Sequence, residues 1–224
     1  MKRYLRVVGA VVWKDLAAEL RSRETFSAMV VFSLLMVLVF SIALELNRGA
    51  RESTAAGVLW ATALFSGTLG LNRGLGREQD RGTLEGLLLA PADRSALFFG
   101  KFLSSWVLIL AVQVVTVPVL TVLYNFNLAQ PLVIVSLLLG TLGYTGVGTL
   151  LSAVSAQTRA RDVLLPILLL PVSVPVLMAG VQSSGGALAG TPWAEISIWY
   201  SLLVTYDLIF LAVAVMVFEA VVGE

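Results

Sequence analysis

NRGLGREQDRGTLEGLLLAPADRSALFFGK, residues 72–101, holds five of the fifteen basic and four of the fourteen acidic residues of the chain, and long apolar runs flank it on both sides. Charge confined to one connection between two apolar runs is the pattern of a polytopic membrane protein, and the other connections follow from it. Inside this stretch, Leu84, Leu87, Leu88 and Leu89 cluster beside Glu85, and Pro91 ends what would be two helical turns. Two readings fit a short helix with an apolar side and charged flanks. It is a docking element for a soluble partner, or a turn lying on lipid headgroups.

Of the 224 residues 58% are hydrophobic and 13% charged, and the mean hydropathy is +0.92. Soluble domains carry charge on about a quarter of their residues, so the chain reads as an integral membrane protein. A hydrocarbon core of about 30 Å takes about 20 helical residues, which allows about six crossings and leaves little for a soluble domain. The chain has no Cys and no His. Disulfides, thiolate sites and cysteine nucleophiles are therefore excluded, and so are the commonest metal ligand and general base. No GxxxxGK[ST] occurs, so no phosphate cradle is expected and the chain is not expected to be an enzyme. Catalytic, cofactor-binding and metal-binding residues are all expected to be absent.

Residues 3–24 place Leu5, Val8, Val12, Leu16 and Leu20 at helical spacing, with Arg3, Arg6, Lys14 and Arg21 opposite. This predicts an amphipathic helix in the membrane interface over 1–24. Glu19 projects into the apolar arc, which calls for a protein partner such as Arg21, Arg23 or a loop arginine, or for snorkelling to the headgroups. Lys14 and Asp15 interrupt the apolar run that follows Arg6, so the start is read as retained rather than cleaved.

Six spans follow, at about 26–44, 54–71, 97–123, 132–156, 163–181 and 196–222. The second and fourth are rich in small residues, among them Gly57, Gly67, Gly70, Gly140, Gly143 and Gly146, which suits close helix packing in lipid. The fifth contains Pro166, Pro171 and Pro175, so neighbours must satisfy the backbone carbonyls that these prolines free. Residues 182–192 read as an uncharged, Gly-rich connection. Trp193, Trp199 and Tyr200 read as an aromatic belt. Thirteen Lys and Arg residues fall in the N-terminus and the connections after spans 2 and 4, against two in the others. That predicts cytoplasmic N- and C-termini.

Asp207 is the one acidic residue deep in a span, with Gln113 as another intramembrane polar group. A charge at that depth costs about 2.5 to 3.5 kcal/mol, so Asp207 should face the bundle interior. A structural hydrogen-bonded carboxyl, a partner contact and a proton relay are the alternatives.

Three stretches, KDLAAELRSRE (14–24), LGLNRGLGREQDRGTLEGLLLAPADRSALFFGK (69–101) and RARDVLLPILLLPVSVPVLMAGV (159–181), together resemble the CcmB family, the permeases of cytochrome c maturation also called haem exporter B subunits. The resemblance implies an all-α, six-helix, ABC-2 exporter-like permease in a single domain over 1–224. Two copies would pair with a separate ATPase, CcmA, and associate with CcmC, CcmD and, indirectly, the haem chaperone CcmE. The membrane would be the cytoplasmic (inner) one, and no nucleic acid partner is expected. It further implies that residues 72–96 form a cytoplasmic coupling loop, with Arg77, Glu78, Asp80, Arg81, Leu84, Glu85, Leu87, Leu88 and Pro91 meeting the ATPase. Glu19, Arg21, Arg23 and Glu24 would border that surface. The chain would bind no cofactor, haem being cargo of the complex. An ABC-2 exporter of a lipid, glycan or drug and a membrane scaffold are the competing readings.

Overall fold

The computed structural model describes residues 2–44, 51–80, 93–125, 127–156, 158 and 160–221, with the side chains at 2, 51, 75–80, 161 and 219–221 left aside. Seven helices occur among the described residues: α1 (Lys2–Ser22), α2 (Glu24–Ala43), α3 (Arg51–Asp80), α4 (Arg94–Tyr124), α5 (Pro131–Ala156), α6 (Arg161–Leu188) and α7 (Trp193–Val221). Helices α2 to α7 each contain a stretch long and apolar enough to cross a membrane. They are apolar around most of their circumference, as a helix surrounded partly by lipid must be.

Helix α1 has three sides rather than the two predicted. Val8 and Val11 are buried, and α1 packs chiefly on α4. Leu5, Trp13 and Leu20 are exposed, on the side that a membrane interface would cover, and Arg3, Arg6 and Arg21 form the exposed basic side. So Leu5 and Leu20, expected on one face with Val8, do not share its contacts. Arg23 turns the chain in the left-handed region, at φ 53°, which costs a non-glycine residue about 1–2 kcal/mol. Helix α2 starts immediately after it, so Glu24 belongs to α2 and not to the interfacial helix.

Thr25, Met29, Ser33 and Val37, spaced by four, form the buried edge of α2, which packs on α3 and α4. Helices α3 and α5 sit at the centre. Helix α3 touches α2, α4, α5 and α6, and α5 touches α3, α4, α6 and α7. Their small residues account for this. The indole of Trp60 on α3 lies so close to Gly140 of α5 and Gly180 of α6 that a Cβ at either glycine would collide with it. Its Nε1 donates to Ser184 Oγ at 3.0 Å. One aromatic side chain thereby joins three helices, through notches that only glycine leaves open.

Two helix ends differ from the sequence expectation. Helix α3 runs on to Asp80 and α4 begins at Arg94, so residues 72–80 and 94–96 are helical extensions of the spans rather than loop. Helix α6 continues to Leu188. The polar residues from 182 onward are therefore mostly its last two turns, and they are a packing surface. Ser183 Oγ lies 2.9 Å from Ser136 Oγ of α5, which lies 3.0 Å from the Tyr200 hydroxyl of α7. The helix closes with Gly190 at φ 71°, where Gly190 N–H donates to Ala187 O and Thr191 N–H to Gly186 O, the pattern of a glycine C-terminal cap. Tyr200 is buried in this contact rather than standing in an aromatic belt, while Trp193 beside it is exposed. On the proline helix α6, the Tyr206 hydroxyl of α7 donates to Val172 O, three residues before Pro175. Pro175 frees the adjacent carbonyl, at residue 171, so this bond ties α7 to the proline region without replacing the one lost.

Candidate functional site

At the charged end of the bundle, α1, residues 70–74 of α3 and the first turns of α4 line one cavity. Asp93 O accepts from the backbone N–H groups of Ala96 and Leu97, which starts α4. Its first three turns carry Phe98 and Phe102, whose rings stack at 6.2 Å, and Phe98 also meets Phe218 of α7 at 5.2 Å. On another side of the same turns, Gly100 admits Val11 of α1: a Cβ there would lie 2.6 Å from Val11 Cβ. The next residue, Lys101, has its side chain 8% exposed and its Nζ 2.9 Å from Asp15 Oδ2. The second oxygen, Oδ1, is 3.1 Å from the same Nζ. Ser104 Oγ lies one turn on, 3.1 Å from Asp15 Oδ2, and Lys14 Nζ is 3.3 Å from Oδ1. A carboxylate on the interfacial helix is thereby held by an ammonium and a hydroxyl of α4. A buried charge is tolerated only with such partners.

Glu19 lies one turn further along α1. Its Oε1 accepts the backbone N–H of Phe26 at 2.8 Å. Phe26 is the third residue of α2, whose N–H has no partner within its own helix, so Glu19 supplies a cap from the preceding helix. The expected protein-facing position holds, and the partner in this bond is backbone rather than arginine. Arg73 Nη1 on α3 lies 4.0 Å from Glu24 Oε1, and Asn72 Nδ2 donates to Asp162 Oδ1 at 3.2 Å, tying α3 to the start of α6.

Between α1 and the bundle these groups surround a cavity of about 370 Å³. Met29, Leu71, Leu108 and Ile109 give it apolar walls, while Asp15, Lys101, Ser104 and Thr149 give it a polar side. Lys14, Ser22, Glu24 and Gly74 are exposed residues at its rim. The Thr149 hydroxyl is buried and has no hydrogen-bond partner among the described residues. Ser152 beside it donates to Leu71 O at 2.9 Å.

Within the membrane-spanning region, Asp207 and Gln113 are buried, as expected of polar groups in a span. Of the alternatives for Asp207, the hydrogen-bonded one finds a partner in the backbone of Gly143 on α5. No side chain bonds the Asp207 carboxyl, and neither amide atom of Gln113 has a partner among the described residues. Asp207 Oδ1 instead rests against Gly143 of α5, which has no room for a Cβ. Among the described residues no group of three or more His, Cys, Asp or Glu is placed to hold a metal ion.

Of the residues expected to meet an ATPase, Arg77, Glu78 and Asp80 are on the final turns of α3. Arg81, Leu84, Glu85, Leu87, Leu88 and Pro91 lie outside the described residues. Arg21 is exposed near the end of α1 and Arg23 forms the α1–α2 junction. Sequence reasoning overlooked Asp15, Lys101 and Ser104. The signal was present, because Val8, Val11 and Asp15 share one helical face. An acid on a buried stripe calls for a basic partner.

Residues 6–223 match the family model described as CcmB protein. Heme exporter protein B of Paracoccus denitrificans is 29% identical over 182 residues, covering 81% of this chain and 84% of that protein. The protein of that name from Rhodobacter capsulatus is 29% identical, covering 77% and 80%, and that from Escherichia coli K12 is 26% identical, covering 78% and 82%. The matched region runs from α1 through all six membrane-length helices, so the likeness takes in both the cavity end and the glycine-notched centre. On this evidence the chain, a multi-pass membrane protein, belongs to the CcmB protein family.

Proposed function

We propose that this chain is the permease subunit of a haem-exporting ABC transporter for cytochrome c biogenesis. A separate ATPase would drive either haem export or release of the haem-loaded chaperone. The observation that carries this reading is the family match across residues 6–223, and the relatives' name, Heme exporter protein B, supplies the cargo. The ATPase is CcmA, CcmC and CcmD complete the assembly, CcmE receives the haem, and a second copy of this chain makes the pair. The complex sits in the cytoplasmic membrane with both termini inside. Thirteen of the fifteen basic residues on that side favour this orientation. With no His or Cys in the chain, axial ligation of the haem falls to the partners.

The geometry suits force transmission. Helices α3 and α4 run as continuous rods up to either side of residues 81–92. A push delivered there reaches α1 through the Asp15–Lys101 pair and α7 through the Phe98–Phe218 contact. Glu85 is the residue assigned to the ATPase contact. Glu85→Arg should reduce the ATPase that co-purifies with the chain by at least tenfold while membrane insertion stays normal. Undiminished co-purification contradicts the docking assignment.

A further inference from the structure

The structure sorts the charges of α1 by sign. Both of its acids turn toward the bundle: Asp15 meets Lys101 Nζ at 2.9 Å and Ser104 Oγ at 3.1 Å, and Glu19 Oε1 accepts the Phe26 N–H. Its arginines Arg3, Arg6 and Arg21 are all exposed. The ion pairs at this end join Lys14 and Lys101 to Asp15 and Arg73 to Glu24, and Arg6 and Arg21 belong to none of them. At about 100° per residue, Leu5, Gly9, Trp13 and Leu20 share an arc of about 80°, Arg6 lies about 20° beyond Trp13, and Arg3 and Arg21 lie about 60° beyond Arg6. The buried Val8 and Val11, with Asp15, occupy the opposite side. An exposed apolar strip is therefore bordered by cations near both of its ends, and no acid of α1 stands on the arginine side.

We infer that this outward side of α1 binds the headgroups of anionic phospholipids, of the phosphatidylglycerol class, in the leaflet that borders it. Leu5, Trp13 and Leu20 enter the acyl boundary, where an indole is well placed, and set Arg6 at the depth of the phosphates. Arg21 reaches the same layer by laying its stem along the apolar strip while its guanidinium stays hydrated. The sign of the charge decides the occupant. Each cation held near the surface strengthens binding to anionic lipid about fivefold, whereas a zwitterionic headgroup already neutralises its own phosphate. An acidic protein surface would meet the arginines but leave Trp13, 74% exposed, without apolar cover; an anionic lipid supplies both. Lipid on the outer side then presses α1 against Gly100, Lys101 and Ser104 of α4 on the inner one.

The test uses the full chain reconstituted in phosphatidylcholine vesicles. Gly9 lies at the centre of the apolar strip with open space around it, and the chain has no cysteine, so Gly9→Cys carries a single bimane fluorophore on the surface in question. Phosphatidylglycerol or phosphatidylcholine bearing a nitroxide on an upper acyl carbon quenches the bimane only when beside it. The phosphatidylglycerol probe should reach half-maximal quenching at a mole fraction about fivefold lower, or lower still. Raising salt from about 0.1 M to 1 M should remove that advantage, because the Debye length falls from about 10 Å to 3 Å. Arg6→Gln with Arg21→Gln should bring the ratio below about twofold, while Arg6→Lys with Arg21→Lys, which keeps both charges, should stay within about twofold of the parent. Both pairs change exposed side chains, so thermal unfolding should match the parent. Equal quenching by the two probes in the parent overturns the proposal and leaves the arginine side to an acidic protein partner. A preference undiminished in the glutamine pair, or one that survives high salt, overturns it as well.

Discussion

Replacing Lys101 with Met isolates the contact that fixes the interfacial helix to the bundle. Lys101 Nζ is 2.9 Å from Asp15 Oδ2, with the two side chains 8% and 19% exposed. At an effective dielectric constant of about 20 the gross attraction at this distance is about 6 kcal/mol, most of it offset by desolvation. Removing one partner of a buried pair costs about 3–5 kcal/mol. Asp15 would keep Ser104 at 3.1 Å and the half-exposed Lys14 at 3.3 Å, so about 2–3 kcal/mol is the better figure for this site. That raises the population with α1 detached by about 30- to 150-fold. Because the chain contains no cysteine, Val8→Cys places a single thiol in the buried contact of α1, where the labelling rate by a maleimide follows local opening. Lys101→Met should accelerate labelling by that factor. The double variant Asp15→Leu with Lys101→Met should recover to within about fivefold of the parent, because no charge is left stranded. In it Ser104 still donates to the backbone carbonyl of residue 101. Labelling as slow in Lys101→Met as in the parent would refute the reasoning, and so would a double variant as fast as the single one.

Gly140→Ala and Gly180→Ala each place a methyl group against the Trp60 indole. Each should destabilise the purified protein by about 1–3 kcal/mol in thermal unfolding, whereas Gly57→Ala, where a Cβ meets nothing within 4 Å, should be neutral or slightly stabilising. Glu19→Ala should cost about 1 kcal/mol through loss of the cap on Phe26 N–H, and Glu19→Gln, which retains a carbonyl acceptor, a few tenths; equal losses would show that the charge matters rather than the bond. Asp207→Asn should match the parent in stability and in cytochrome maturation, while Asp207→Leu should be poorer because an alkyl end cannot keep the bond to the Gly143 backbone. Loss of maturation in a stable Asp207→Asn protein would instead assign that carboxyl a required charge.

The membrane-length helices were legible because the bilayer imposes a length and an apolar composition that survive in the linear sequence. The small-residue character of α3 and α5 likewise announced the centre of the bundle. Helix ends were less legible, since hydropathy marks where apolar character stops and not where the backbone hydrogen bonds stop. Residues 72–80 include the helix formers Arg77, Glu78 and Gln79 and no proline, so α3 propagates beyond its apolar run. At 182–188, serines and glycines suggested a connection. In a membrane bundle the same residue types are the ones that let helices touch, and Trp60 and Ser136 use them that way. The face of α1 was misjudged because periodicity finds apolar residues without separating those that meet protein from those that meet lipid. For Asp207 the depth followed from sequence, but its contact with Gly143 depends on which helix lies opposite. The Asp15–Lys101 pair spans 86 positions, and no local pattern joins residues so far apart.

The central claim is tested most directly by covalent haem staining of membranes from cells lacking this chain, with and without the chain restored. The account predicts loss of c-type cytochrome bands in the deletion, accumulation of the haem-loaded chaperone, and recovery of both on restoration. Unaltered c-type cytochromes in the deletion, in cells with no second maturation system, would contradict it.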